Sequence, residues 1–413
     1  MKDTDGKPVL LRNARIVLPE HVAAASSLLI EDGRIARIFE SETVQLPEVE
    51  SELDLTGLTL FPGFIDVHIH GAAGVDAMAA TPDDLARVSE FLARHGVTAW
   101  MPTMVPAGAD KYEHAIQAIT GLIEKQNSSC APAVLNADGT SALPGNMARV
   151  IGVHYEGPFV NSEQCGALHR EHFRTFKSVA ELDSLPTIRS ESAVHLMTLA
   201  PEIEGGIDLI RELGRRGWIA SIGHTRATMD ILDQALQAGA RHMTHFMNAM
   251  TPLHHRAPGP IGWGLIRDDV TCDLIADGVH LDPSILKLIL RSKTAERISL
   301  ISDAVAPTGL GDGEYQIWGE AIQVLDGRTQ NSRGSIAGSV ITMLDAVRMM
   351  RSLGVSELEA ARMASSNPAR LLGIDNECGS IQEGKRADLV ALDRDGAVQM
   401  TLVGGVPSMT NEK

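Results

Sequence analysis

Apolar positions along the chain follow two rhythms. Through the first sixty residues they form short runs broken by turn signals, at 9–11, 14–18, 27–30 and 34–39, the last two flanking Asp32-Gly33. Such runs predict small antiparallel strands. From residue 60 the pattern becomes an apolar run, a loop and then a helical period. Residues 60–70 predict a strand. The segment from Pro82 predicts a helix with Thr81 as N-cap, Leu85, Val88 and Leu92 on one face, and Gly96 past its end. Further runs near 97–104, 149–155, 193–199, 218–223, 240–246, 270–277 and 297–302 bring the strands to eight, most of them followed by a helix-like segment. Eight strand-then-helix units predict an α/β fold, a (β/α)8 TIM-type barrel with its reactive groups where strands end and loops begin. An open doubly wound sheet is the competing architecture.

Two stretches interrupt the rhythm, 157–192 after the third strand and a Gly-rich 304–338 after the eighth. Loops of that length serve as lids or binding segments. After helices near 339–352 and 356–372, strand-like runs return at 387–393 and 398–403. Paired with the N-terminal strands they predict a small β-sandwich domain built from residues 1–58 and 376–413, beside a catalytic barrel of residues 59–375.

Composition narrows the partners. The 413 residues carry 36 Lys plus Arg against 53 Asp plus Glu, a formal charge of −17. That field repels polyphosphate backbones and anionic lipid, so neither nucleic acid nor a membrane surface is an expected partner. Cys130, Cys165, Cys272 and Cys378 stand far apart with no CxxC pair, and read as isolated thiols of a reducing compartment. The first residues show no basic segment leading into an apolar one, and no 18-residue apolar run occurs. A cytoplasmic protein is the expectation.

Histidines and carboxylates gather at the predicted C-terminal ends of the strands. His68 and His70 end strand one, and the two-residue period of a strand turns both to one side. His154 and Glu156 end strand three, His224 strand five, His245 strand six and Asp303 strand eight. Neutral imidazoles with a carboxylate form the ligand set of zinc or ferrous iron, and a carboxylate beside such an ion can take a proton from water and return it to a leaving group. The alternative is a set of buried histidines bonded to one another. His154 suits a supporting position, and His21, His95, His114, His172, His195 and His242 read as surface or packing residues.

Phe61-Pro62-Gly63-Phe64-Ile65-Asp66-Val67-His68-Ile69-His70-Gly71 resembles the opening signature of the amidohydrolase superfamily. Within it, His154-Tyr155-Glu156-Gly157-Pro158-Phe159, Ser221-Ile222-Gly223-His224-Thr225, His245-Phe246-Met247-Asn248-Ala249-Met250, Ala276-Asp277-Gly278-Val279-His280 and Ser302-Asp303-Ala304 resemble the N-acetylglucosamine-6-phosphate deacetylases. So do Ile336-Ala337-Gly338-Ser339 and Asn367-Pro368-Ala369-Arg370. The resemblance covers nearly the whole chain from residue 7 to 405, with the motifs in order.

The resemblance implies a divalent metal, Zn2+ foremost with Fe2+, Mn2+ or Co2+ as alternatives, held by Glu156, His224 and His245. His68 and His70 are available to a second ion. Asp303 matches the catalytic aspartate. Asn248, Ala249, Arg256, His280 and Ile336, Ala337 and Gly338 match positions that hold the sugar phosphate, Arg256 by reaching into a neighbouring subunit of a homodimer. One departure stands out: where the pattern has a histidine after Gly166-Ala167, this chain has Leu168, with His169 next. Ala167 and His169 are therefore the expected substrate contacts of that loop.

The implied reaction removes acetate from N-acetyl-D-glucosamine 6-phosphate to give D-glucosamine 6-phosphate. A metal lowers the pKa of water from 15.7 to about 7, and Asp303 serves as general base and then acid. The galactosamine epimer is the near alternative, since one hydroxyl can depend on a single side chain. Another amidohydrolase, such as a cyclic amidase or base deaminase, would share the metal ligands but not the Asn248, Ala249, Arg256 and His280 set. A non-catalytic scaffold would have lost its ligands. Arg256 has its own alternative, a loop arginine paired with a nearby carboxylate.

Overall fold

The computed structural model describes residues 7–40, 45–128, 147–190 and 192–408. Phe64–Ile69, Val97–Met104, Gly152–Glu156, Val194–Leu199, Ile219–Ile222, His242–Met243, Thr271–Ile275 and Ile298–Ile301 are eight parallel strands, each paired with the next in chain order. A bridge from Ile69 to Ala304 joins the eighth strand to the first. The sheet closes, so the open doubly wound alternative is excluded.

Inside the barrel, Val67, Met101, Leu196, Ile275 and Ile301 meet, with Ala369 and Leu372 of the C-terminal helical segment against them. This apolar plug leaves the chemistry to the other end. Outside, helices pack by the faces the periodicity predicts. Pro82–Arg94 buries Leu85, Val88 and Leu92, and its Thr81 N-cap exchanges hydrogen bonds with Asp84. Gly96 then takes φ +84°, where a β-carbon would meet the Phe64 ring at 2.9 Å, so only glycine turns the chain there.

Three local differences from the sequence reading have physical causes. Residues 60–70 are two strands rather than one. Thr59–Pro62 pairs with the terminal strands Val9–Val17 and Leu389–Leu392, and the chain crosses to the barrel at Gly63, where any β-carbon would lie 2.2 Å from Thr98 Cγ2. The sixth barrel strand is shorter than the run 240–246, because the backbone turns to positive φ at His245, Met247 and Ala249. The helix expected from 339 begins only at Met343, since Ser339 pairs with Ala304 and Thr342 caps the helix.

The terminal strands join in one sheet in the order Val406–Ser408, Val398–Val403, Leu389–Leu392, Thr59–Pro62, Val9–Val17, Val22–Glu31, Arg34–Phe39, with Ser51–Asp54 beside Val9–Val17. Asp32 and Gly33 turn the last hairpin with both φ angles positive. The 304–338 excursion contains a three-stranded antiparallel meander, Gly313–Ile317, Glu320–Leu325 and Arg328–Asn331. Among its described residues, the 157–192 excursion holds only short helical turns. Among the described residues, no helix is long and apolar enough to cross a membrane. Cys165, Cys272 and Cys378 are buried free thiols, and Cys130 lies outside the described residues.

Candidate active site

Residues from five strand ends meet at the C-terminal mouth of the barrel. Glu156 Oε1 lies 2.8 Å from His224 Nε2 and 3.1 Å from His245 Nε2, and these two nitrogens are 3.1 Å apart. Glu156 Oε2 lies 3.3 Å from His70 Nε2, which is 3.3 Å from His68 Nε2. Asp303 Oδ1 completes the cluster at 3.2 Å from His70 Nε2 and 3.5 Å from His68 Nε2. All six side chains are buried.

Backbone conformation aims them. His224, His245 and Asp303 take φ +47°, +30° and +49° immediately beyond their strands. Left-handed backbone costs a non-glycine residue about 1–2 kcal/mol, and the surrounding bonds must hold it. Asp303 has that support: its N–H donates to the His68 carbonyl at 2.9 Å, and its own carbonyl accepts from Ser339 N–H at 2.7 Å.

The donor set fits a divalent cation. His224 Nδ1–H donates to the Gln164 carbonyl at 2.7 Å and His70 Nδ1–H to the Thr103 carbonyl at 3.2 Å, so in each ring Nε2 is left with a lone pair facing the cluster. Glu156, His224 and His245 bring their ligand atoms within 4.8 Å of one another, as do His68, His70 and Glu156. Glu156 belongs to both triads, with Oε1 facing His224 and His245 and Oε2 facing His70. Lone pairs pointed at one another across 3.1 Å are repulsive without a cation or proton between them.

The electrostatics agree. Burial alone would lower the His70 pKa, but hydrogen bonds and charge from Asp303 and Glu156 reverse the sign and hold it at about 10. His245 is raised by the same contest between burial and Glu156. Burial would raise Glu156, yet bonds from His224, His245 and His68 hold it well below the usual carboxylate range. Asp303 is also lowered, with burial outweighed by His68 and His70. A field that retains a proton on buried imidazole also favours a metal cation in its place.

Beneath the cluster, His154 meets His68 edge to face with ring centroids 4.5 Å apart. Its Nδ1–H donates to the Val67 carbonyl at 3.1 Å, and Nε2 accepts from Thr198, whose hydroxyl continues to Thr244 and Ser221. Both nitrogens are engaged away from the cluster. Asp66 accepts from the Ser302 hydroxyl and from the Ser302 and His68 N–H groups, which locks strand one to strand eight below the carboxylate. Burial raises its pKa to about 6.

The expected substrate positions surround this cluster unevenly. Asn248 Nδ2 is buried without a hydrogen-bond partner, and Ala249 takes φ +49° with its carbonyl bonded to Thr225 N–H. His280 Nδ1–H donates to Asp277 at 2.6 Å. Arg256 is exposed, 2.7 Å from His255 Nε2, and has no carboxylate partner among the described residues, contrary to the paired-loop alternative. Ile336 and Gly338 are half-buried and Ala337 is buried. Gly166 passes over the site: a β-carbon there would sit 3.7 Å from His224 Cε1.

Leu168, at the position of the missing histidine, is buried in the main core. His169 faces Glu171 at 3.3 Å and Glu320 at 3.8 Å rather than the cluster carboxylates. Arg333 donates to the Ala167 carbonyl at 2.8 Å, tying this loop to the meander.

Sequence reasoning missed several contributors. The Gln164 and Thr103 carbonyls that set the tautomers carry no side-chain signature. Trp318, whose ring centroid lies 5.0 Å from that of His70, could have been flagged as one of only four tryptophans, placed inside a Gly-rich stretch.

Comparison with known proteins gives a consistent picture. The model of the amidohydrolase family matches residues 59–407. The N-acetylgalactosamine-6-phosphate deacetylase of Escherichia coli O157:H7 is 38% identical over 96% of this chain and 98% of its own length. The N-acetylglucosamine-6-phosphate deacetylase of Bacillus subtilis (strain 168) is 35% identical over 96% of each. The N-acetyl-D-glucosamine-6-phosphate deacetylase of Mycobacterium smegmatis, solved as a mutant in complex with N-acetyl-D-glucosamine-6-phosphate, superposes with a TM-score of 0.85 at 30% identity, covering 98% of this chain and all of that one.

Proposed function

The chain belongs to the amidohydrolase family, a hydrolase acting on an amide, and we propose that it releases acetate from N-acetyl-D-glucosamine 6-phosphate. The observation that carries this reading is the convergence of Glu156, His224 and His245 beside Asp303 in a buried mouth.

In this reading Glu156, His224 and His245 hold a divalent cation, zinc foremost, and His68, His70 and Glu156 offer room for a second. Such an ion supplies Lewis acidity toward the acetyl carbonyl and makes water a nucleophile at neutral pH. Asp303, kept ionised by His68 and His70, takes the proton of the attacking water. The water oxygen bonds to the acetyl carbon, the C–N bond breaks, and Asp303 returns its proton to the departing nitrogen. Acetate and a free amino sugar result. The Gln164 and Thr103 carbonyls keep His224 and His70 in the tautomer this requires.

Substrate recognition is assigned to the loops on strand three and on strands six to eight. Asn248 Nδ2 has no protein partner and is free to donate to the sugar phosphate. His280 is oriented by Asp277, and Ala167, Ala249 and the 336–338 segment contribute backbone. Arg256 is exposed and, among the described residues, bonded to His255 but to no carboxylate, which suits a guanidinium donated across a homodimer to a neighbour's phosphate. His169 reaches this region through Glu320 only, so its part is to order the loop.

The Escherichia coli relative gives a specific reason for a second reading, the galactosamine epimer. Acetate release measured on phosphorylated and unphosphorylated N-acetylglucosamine and N-acetylgalactosamine, with metal content determined on the same sample, separates the two. The first reading expects the highest kcat/KM on N-acetyl-D-glucosamine 6-phosphate. Preference for the galactosamine arm would install the second reading, and equal rates without phosphate would overturn both.

A further inference from the structure

The three-stranded meander inserted after the eighth barrel strand supplies none of the ligands of the ion-binding cluster, yet it delivers a tryptophan to it. Trp318 sits at the tight turn between Gly313–Ile317 and Glu320–Leu325, at φ +52° with Gly319 at +83°. Its ring meets His70 edge to face, with an interplanar angle of 79°. A bulky aromatic residue in left-handed conformation is uncommon, and its strain persists only where the surroundings fix it.

Here they do. Trp318 packs into a small apolar cluster with Val305, Ala306, Ile317 and Ala337, and Ala167 joins from the opposite loop. Asp76, at the end of the short hairpin after strand one, lies against both Trp318 and His70. The cluster is contiguous with the reacting groups: Val305 follows Asp303 by two residues, and a β-carbon on Gly338 would lie 3.7 Å from Asp303 Oδ1. Apart from the Trp318 Nε1–H, which has no hydrogen-bond partner among the described residues, the surface this cluster sets against the buried His and carboxylate groups is apolar and has little to offer a phosphate or a sugar hydroxyl. It does suit a methyl group.

The direction of the site gives the same assignment. Asn248 and His280 lie on the loops of strands six and seven, Asp303 ends strand eight, and His70 ends strand one beside it around the closed sheet. A substrate with its phosphate over strands six and seven and its amide at Asp303 carries its acyl tail onward to strand one. We propose that Trp318, with Val305, Ala337 and Ala167, forms the acyl pocket, and that the indole is the wall limiting the N-acyl group to acetyl. This rests on the amino-sugar deacetylase reading and adds its specificity for the acyl chain.

The test measures kcat/KM for N-acetyl, N-propionyl and N-butyryl glucosamine 6-phosphate with wild type, Trp318→Ala and Trp318→Phe, each with metal content and melting temperature. Wild type is expected to favour acetyl strongly. Trp318→Ala is expected to raise the propionyl-to-acetyl ratio about tenfold or more, the discrimination one methylene commonly commands, with Trp318→Phe in between. An unchanged ratio in a folded, metal-loaded Trp318→Ala protein would overturn the proposal. If Trp318→Ala fails to fold, the ratio in Trp318→Phe decides in the same way. Wild type inactive on all three acyl sugars but active on another amide would instead remove the underlying reading.

Discussion

At the scale of single residues, the site is built from groups whose other contacts leave them one task. Asp303 has a backbone fixed by His68 and Ser339 and a side chain facing two imidazoles, so its carboxylate is ionised and aimed. Asparagine tolerates left-handed backbone and has nearly the same shape, so Asp303→Asn changes the proton chemistry and little else. The variant is expected to retain wild-type metal content while kcat falls about a hundredfold to ten-thousandfold, the usual worth of a general acid–base. Near-normal turnover by a metal-loaded Asp303→Asn enzyme would reject the assignment. The side chains of this cluster were legible from sequence because strand period and strand ends predict them: His68 and His70 do face one way. What could not be read were partners without a side-chain code. The Gln164 and Thr103 carbonyls act through main chain, and Asp66 and Asp76 became meaningful only when strand eight and the meander were placed beside them.

At the scale of elements, the loop that returns from the meander forms an edge of the site. Ser339 pairs with Ala304, and the chain can come this close only because residue 338 is glycine. Gly338 takes φ +64°, and a β-carbon there would lie 2.6 Å from Val305 Cγ1 and 2.8 Å from the Asp303 carbonyl. Gly327 takes φ +72° in the same meander but with nothing within 4 Å, which makes it a control for backbone strain alone. Both alanine variants should lose about 1–2 kcal/mol of stability from the left-handed backbone. Only Gly338→Ala is expected to lower kcat in addition, by displacing Asp303. Denaturant midpoints with steady-state kinetics check this, and equal kinetic effects would show that the contact does not position Asp303. The barrel itself was readable, since each buried parallel strand is an apolar run followed by an amphipathic helix. The meander was hidden by its glycines, although Asp326-Gly327 between alternating Ile322, Val324 and Thr329 is a hairpin signal. The division of residues 60–70 was invisible for a different reason: both halves are apolar, and only contacts with Leu389–Leu392 and Val97–Met104 assign them to different sheets.

At the scale of the whole molecule, the terminal sheet must be fixed to the barrel for the chain's two ends to stabilise the first strand. Asp388 is the joint. Its carboxylate takes Arg149, just before the third barrel strand, at 3.1 Å, Arg386 at 3.2 Å and the Gly404 N–H at 2.7 Å. Its carbonyl accepts the N–H of Gly63, where the chain passes from sheet to barrel, at 2.8 Å. Burial acts to raise the Asp388 pKa, but Arg149, Arg386 and the Gly404 N–H outweigh it and hold the group below its ordinary value. A depressed folded pKa contributes stability that is fully present above the unfolded value of about 3.9 and is lost as pH falls through the folded one. Asp388→Asn removes that contribution and leaves Arg149 mostly buried and without its counter-charge. It is expected to cost about 3 kcal/mol at neutral pH, the lower end for breaking a buried ion pair. The gap should narrow as acid protonates Asp388 in the wild type. Urea unfolding of both proteins from pH 7 to pH 3 reads that gap directly. Parallel stability curves over the whole range would mean that the sheet and barrel are held by apolar packing, with the ion pair incidental.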